Sequence, residues 1–143
     1  MTWTVQLATG LAELIAGAGL GTWRETGVYT EAETGITIAV VPATPDRIIC
    51  LTPYPISDGP LTAGITAVQI RCRAGRDPRD VQAMADQLRD LLHNRQHTDL
   101  GGIHCELIWR QSQAWIGLDT ADRQEITANY YVRAGQPGAY LDD

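Results

Sequence analysis

Three histidines and a cysteine in the second half of the chain have side chains that can bind a metal ion. His93 and His97 are four residues apart, and His104 and Cys105 follow after a short gap. Two or three imidazoles and one thiolate would be a suitable ligand set for zinc. The spacing beyond His97, however, matches none of the compact structural zinc motifs. A histidine near the end of a helix also has a plain structural use, because it interacts favourably with the last carbonyl groups. We therefore expect no metal site and no cofactor.

Hydroxyl and thiol nucleophiles lack the surroundings that catalysis requires. Ser57 and Ser112 are not in the glycine-flanked turn between a strand and a helix that exposes a nucleophilic serine. The three cysteines are Cys50, Cys72 and Cys105. Each lies in an apolar, strand-like run where a reduced thiol serves as a small hydrophobic residue. An odd number of cysteines cannot all form disulfides within one chain. The sequence therefore predicts a protein that is not an enzyme and that is made in a reducing cytoplasm.

Length and charge narrow the class of protein further. A chain of 143 residues with 44% hydrophobic residues is large enough for one domain with a real core, but too small for two. The chain has eleven arginines, no lysine and a formal net charge of −6, which argues against a surface that grips duplex DNA. It also has no apolar run near the ~20 residues of a membrane span. We expect neither specific DNA binding nor membrane association.

Two helices position the rest of the chain. The first is predicted from the helical spacing of Leu7, Leu11 and Leu14, with Thr2 or Thr4 as its N-cap, and it ends at the glycine cluster 17–21. The second begins at Asp77 and Pro78, a capping residue followed by a proline in the first turn. Its apolar residues form one stripe that should pack on a sheet: Val81, Met84, Ala85, Leu88, Leu91 and Leu92.

Strands fill the rest of the chain. Alternating or β-branched runs predict them at 35–41, 47–51 and 65–73 before the second helix, and at 105–110, 114–118 and 126–132 after it. The prolines of the run 54–60 predict an exposed loop there. The order is α-β-β-β-α-β-β-β, and short links between strands favour antiparallel pairing. We expect an α+β fold with one domain over residues 1–133, mainly an antiparallel sheet with two helices packed on it.

The last ten residues, 134–143, are too polar and too rich in glycine and proline to fold alone. We predict a flexible tail, within which Tyr140 and Leu141 could anchor to a neighbouring subunit.

Two groups of polar residues are candidates for a subunit interface. If Val68, Ile70 and Cys72 face the core, then Gln69, Arg71 and Arg73 form a row on the opposite sheet face. This row is either solvated or an interface, where arginine is enriched. Asp119 and Arg123 are close enough in sequence to hold their own loop together or, alternatively, to pair between subunits.

The chain resembles the tail terminator proteins of long-tailed bacteriophages, a family of minor capsid proteins. The resemblance covers nearly the whole chain and rests on the order and spacing of short segments rather than on a single diagnostic motif. These segments are Thr34-Gly35-Ile36, Ile48-Ile49-Cys50-Leu51, Pro53-Tyr54-Pro55, Val68-Gln69-Ile70-Arg71-Cys72-Arg73, and Gly117-Leu118-Asp119 with Arg123 and Tyr130.

The resemblance implies a structural protein of the siphophage virion, located at the neck of the tail and assembled in the host cytoplasm. It implies a hexameric ring that caps the tail tube protein, stops tube growth and meets the head–tail connector protein, while genome DNA passes through the lumen. The alternatives are a head-completion or stopper protein of the same neck, and a small cellular enzyme or ligand-binding domain.

Overall fold

A computed structural model describes residues 1–141 and has two helices packed on one face of a seven-stranded sheet. No helix in that part of the chain is long and apolar enough to cross a membrane. The order of strands across the sheet is β1-β2-β3-β4-β7-β6-β5. The elements are α1 (Trp3–Gly17), β1 (Thr22–Trp23), β2 (Gly35–Ile38), β3 (Ile48–Ser57), β4 (Ala63–Arg73), α2 (Pro78–Leu92), β5 (Arg95–Leu100), β6 (Ile103–Leu118) and β7 (Gln124–Gly135). The predicted fold class and element order are confirmed, with the two-residue strand β1 as an addition.

The core lies between the helices and the inner face of the sheet. On β4, alternate residues Val68, Ile70 and Cys72 point inward, as the period of two predicts. The stripe on α2 packs against β4, β6 and β7, and the side chain of Asp77 accepts a hydrogen bond of 2.9 Å from the backbone amide of Arg79. The predicted second helix is confirmed from its cap to its last turn.

Helix α1 connects the two edges of the sheet. It contacts β1 and β2 at one edge and β5 at the other, so the sheet curls around it. The close approach requires glycine: a Cβ atom at Gly10 would overlap the backbone of Leu100 and Gly101. The side chain of Gln6 donates a hydrogen bond to the carbonyl of Gly101 at the same place.

The three strands after α2 differ from their predicted positions. The predicted strands 105–110 and 114–118 are one continuous strand, β6, whose register with β7 shifts between Arg110 and Ser112. The extra residue of such a bulge reverses which residues face the core. The alternating pattern is therefore interrupted at a point where the strand itself continues. Strand β5 was not predicted because it is an edge strand whose residues are polar up to the buried Leu100.

Strands β2 and β3 pair in parallel, so the prediction of antiparallel pairing from short links is wrong for this pair. Strand β2 has only four residues, so the chain must travel back about 13 Å to begin a parallel neighbour. The segment 39–47, hereafter the crossover segment, can span about 30 Å when extended.

The predicted loop 54–60 is also partly wrong, because β3 continues through Pro53 and Pro55 to Ser57. The neighbour β2 pairs with β3 only as far as Leu51. Beyond Leu51 the strand has a partner on one side alone, β4. Proline is accepted in such an edge segment because its nitrogen, which has no hydrogen to donate, lies on the unpaired side of the strand.

Candidate assembly surfaces

The outer face of the sheet, opposite the helices, has the row of side chains predicted on β4, but Arg73 is buried there. Only 3% of Arg73 is exposed, because the crossover segment covers it. Its guanidinium donates hydrogen bonds to the carbonyl oxygens of Pro42 (2.7 Å), Pro45 (2.7 Å) and Asp46 (3.0 Å). Burial lowers the pKa of Arg73, and the nearby charge of Arg123 lowers it further. The structure thus gives Arg73 a task inside the subunit, which is to hold the crossover segment.

Asp119 and Arg123 hold the tight loop between β6 and β7. The carboxylate of Asp119 accepts hydrogen bonds from the backbone amides of Ala121 (3.0 Å) and Arg123 (2.9 Å), and it lies 2.8 Å from the guanidinium of Arg123. Burial acts to raise the pKa of Asp119, but these hydrogen bonds outweigh it and the pKa lies below its ordinary value. Of the two interpretations from sequence, the loop staple is the arrangement found.

Arg123 also reaches across to the crossover segment. Its guanidinium donates to the carbonyl of Ala43 and lies 3.2 Å from the carboxylate of Asp46. Arg73 on β4 and Arg123 in the β6–β7 loop therefore hold the same segment from two places.

Gln69 and Arg71 are the members of the row that remain half-exposed. Arg71 is 39% exposed in its side chain and pairs with Glu125 on β7, whose side chain is 4% exposed. The hydrogen bond to Glu125 is the main cause of the raised pKa of Arg71. The guanidinium of Arg71 thus binds Glu125 through one edge, and the rest of it is exposed to solvent.

Aromatic and amide side chains continue the exposed part of the outer face, a feature that the sequence alone did not suggest. Trp109 on β6 packs edge-to-face on Tyr131 with ring centroids 5.5 Å apart, and the guanidinium of Arg133 lies 5.8 Å from the centre of the Trp109 ring. Tyr54 donates to Asn129 (2.8 Å), which donates to Ser112 (3.0 Å). We call this surface the outer strip: Tyr54, Gln69, Arg71, Trp109, Ser112, Asn129, Tyr131 and Arg133. Tyrosine, tryptophan and arginine are the residues most enriched at protein interfaces.

The first two residues of the predicted tail, Ala134 and Gly135, belong to strand β7. Strand β7 extends to Gly135, and the next residue is still bound to the sheet side, because the amide of Gln136 donates to the carbonyl of Thr62 (2.9 Å). Farther along, the amide of Leu141 donates to Gly138 (3.3 Å) and its side chain lies over that glycine. Tyr140 is 99% exposed. The last two residues of the predicted tail, 142 and 143, lie outside the described residues.

Two apolar surfaces stand out elsewhere. The end of β6 exposes three large side chains, Trp115 (53%), Ile116 (47%) and Leu118 (56%). A groove of about 550 Å³ runs between the first turns of α1 and the outer end of β2. We call it the α1 groove, and its apolar lining includes Met1, Val5, Trp23, Ile38, Val40 and Pro42.

The histidines are not arranged as a metal site. The Nδ1 atom of His97 lies 3.3 Å from Nε2 of His104, and Nδ1 of His104 lies 3.0 Å from the carboxylate of Asp99. His93 is apart from them and accepts a hydrogen bond from the amide of Arg110 (3.0 Å). Within residues 1–141, no three His, Cys, Asp or Glu side chains converge on a common point. The absence of a bound metal stays a prediction.

All three cysteines are buried and unpaired. Burial raises the pKa of Cys72 to about 12 and that of Cys105 to about 11. Thiols in this state are protonated at neutral pH and are poor nucleophiles. These two cysteines are therefore core residues.

Comparisons with known proteins relate this fold to phage particles. The profile of a family described as bacteriophage tail terminator protein matches residues 14–135. Among solved structures, a chain from the virion of a native gene transfer agent particle has a TM-score of 0.60 at 16% sequence identity, over 94% of this chain and 96% of that chain. At this identity the likeness concerns the fold. A second solved chain, at 14% identity over 89% of this chain and 97% of that one, has a TM-score of 0.47 and supports no argument. A comparison with curated protein sequences gave no match.

Proposed function

Because the chain belongs to the bacteriophage tail terminator protein family, we propose that six copies form a ring that caps the tail tube, stops its polymerisation and joins it to the head connector. The observation that carries this proposal is the extent of the family match, which runs from the last turns of α1 to the end of β7. The chain is thus a phage structural protein, and we propose no catalytic role for it. The neck of the tail is the corresponding place in the virion.

A closed ring of identical subunits needs a heterologous interface, in which one surface of a subunit meets a different surface of the next. The outer strip suits one side of that contact. Its charged members are Arg71 and Arg133, with Glu125 buried beside Arg71. Because Glu125 offsets the charge of Arg71, Arg133 is, within residues 1–141, the uncompensated positive charge of the strip. The chain as a whole has a net charge of −6, so Arg133 suits an acidic surface on a neighbouring subunit.

In this proposal the predicted interface residues divide into two groups. Gln69, Arg71, Tyr140 and Leu141 make contacts between subunits. Arg73, Asp119 and Arg123 support the interface from inside the subunit by holding the crossover segment and the β6–β7 loop in place.

The acidic character of the chain suits a passage for DNA. Six copies with a net charge of −6 each amount to −36 in one ring. Such a ring repels a phosphate backbone more than it binds it. DNA would pass through the lumen without being held by the subunits.

Two measurements test this function. Native mass spectrometry of the purified protein should give a complex of six times the 15.6 kDa chain, and a monomer at every concentration would contradict ring formation. Particles produced without this protein should have tails longer than normal, because the tube no longer receives its stop. Tails of normal length on particles without heads would instead favour the head-completion alternative.

A further inference from the structure

We propose that the α1 groove of one subunit binds the C-terminal segment 136–141 of a second copy of this chain, with the side chain of Tyr140 as the anchor. This inference rests on the proposed ring and names one of its contacts. It adds a donor segment and an acceptor groove that the family membership does not specify.

The acceptor is an apolar groove with its lining side chains exposed. Met1 is 79% exposed, Val40 64% and Val5 42%. Together with Trp23 and Ile38 they line the groove of about 550 Å³, a volume within the range of clefts that bind small ligands. Apolar side chains that are exposed together in this way mark a surface that a partner covers.

The donor is a side chain that its own subunit leaves in solvent. The turn from Gly138 to Leu141 folds Leu141 back over the backbone, where it lines a cleft with Tyr54 and Thr62. The same turn leaves Tyr140 99% exposed. An aromatic ring with so little contact in its own subunit is matched to an apolar groove, and tyrosine is a frequent anchor in protein interfaces.

The places of the donor and the acceptor favour a second copy over the same chain. The tail leaves the sheet beside Trp3, whose indole N–H donates to the carbonyl of Gly135 (3.1 Å). The groove is lined instead by Val5 and Thr9, which are four residues apart on a different side of α1, and by Met1 just before the helix. Two different surfaces of one chain that fit each other are the arrangement from which a head-to-tail ring closes.

A disulfide cross-link tests this contact. Chains with Ala139→Cys, an exposed position next to the anchor that leaves Tyr140 in place, and chains with Val40→Cys are prepared separately, mixed under conditions where the unmodified protein assembles, and treated with a mild oxidant. We expect a cross-linked dimer on a non-reducing gel. In a chain with both changes we expect a ladder of up to six subunits. The native cysteines are buried, and each single variant alone shows any background.

The matched control joins Ala139→Cys with Leu118→Cys, because Leu118 is similarly exposed to Val40 (56% against 64%) but lies at the end of β6. It should give no ladder. Equal cross-linking by both pairs, no cross-link in an assembled ring, or only an intramolecular bond in the double variant would overturn the contact. If the unmodified protein does not assemble at all, the proposed ring fails as well, so the two failures are distinguishable.

A second measurement does not depend on cysteine chemistry. Tyr140→Ser should weaken assembly at least about tenfold, as expected for the loss of an interface anchor. The melting temperature of the monomeric variant should be unchanged, because the side chain of Tyr140 makes so few contacts in its own subunit. Unchanged assembly would overturn the proposal.

Discussion

Gly10 on α1 and Gly101 in the turn between β5 and β6 meet backbone to backbone, with no space for a side chain at Gly10. The contact is the point at which the helix reaches the far edge of the sheet. It explains why a sheet of seven strands curls instead of staying flat: the helix holds the six-residue polar edge strand β5 against itself.

Gly10→Ala should therefore destabilise the subunit by about 2 kcal/mol or more, because backbone atoms cannot move away from the added methyl group as a side chain would. Chemical denaturation measures the change. Gly17→Ala is the control on the same helix: a Cβ atom there meets nothing within 4 Å, and alanine is the better helix former. Equal stability of the two variants would contradict the close contact.

Arg73→Met should destabilise the subunit by about 3 kcal/mol, since three backbone carbonyl groups lose their charged donor. The crossover segment should also become sensitive to limited proteolysis. Arg76→Met, at a side chain that is 80% exposed, should leave both properties unchanged. If Arg73→Met retains full stability but loses assembly, Arg73 is an interface residue after all.

The contacts of Asp119 should affect how the free energy of unfolding depends on pH in the acid range. The pKa of Asp119 is lower in the folded state than its ordinary value of 3.8, so its stabilising effect is complete above that value. The effect is lost as the pH falls further, through the folded pKa. Asp119→Asn should therefore have a flatter dependence of unfolding free energy on pH in this acid range. Asp90→Asn, at a carboxylate that is 78% exposed, should follow the unmodified protein.

Arg133→Glu tests the outer strip without disturbing the core. The exposed side chain should change monomer stability by no more than about 0.5 kcal/mol, while the reversed charge opposes the acidic neighbour and prevents ring assembly. Native mass and tail length report the assembly. Arg76→Glu reverses a charge at an exposed site away from the strip and should assemble normally; failure of both variants would indicate a general charge effect.

Two truncations separate the tail from the sheet. Removal of residues 137–143 should leave the melting temperature of the monomer nearly unchanged and weaken assembly. Removal of residues 134–143 should also lower the melting temperature, because Ala134 is 5% exposed and pairs with both β4 and β6. If both truncations lower the melting temperature equally, segment 137–143 belongs to the fold.

The sequence predicts the helices and strands that bury one face, because burial of one face leaves a periodic pattern of apolar residues. The stripe on α2 and the alternation on β4 are of this kind, and both were predicted. Alternation also places Arg73 on the outer face, but it cannot say that the crossover segment covers that face. The direction of β2 relative to β3 depends on the path of the same segment, which no periodic pattern records.

The assembly surfaces were only partly accessible from sequence for the same reason. Trp109 and Tyr131 are neighbours because of the bulged register of β6 with β7. The same bulges are the reason that β6 was predicted as two strands. Val5 and Val40 line one groove although 35 residues separate them. The family resemblance, in contrast, depends on the order of segments along the chain and does not require their pairing to be known.

The prolines in β3 have a consequence for how the protein stays separate from unwanted neighbours. Along the outer edge of this strand, Pro53 and Pro55 offer carbonyl oxygens but no N–H groups. A foreign strand that approached this edge would find acceptors without the alternating donors that a ladder needs, so it could not extend the sheet. A subunit whose proposed task is to end a polymer thus has, on one of its own edges, a chemical barrier to growth by strand addition.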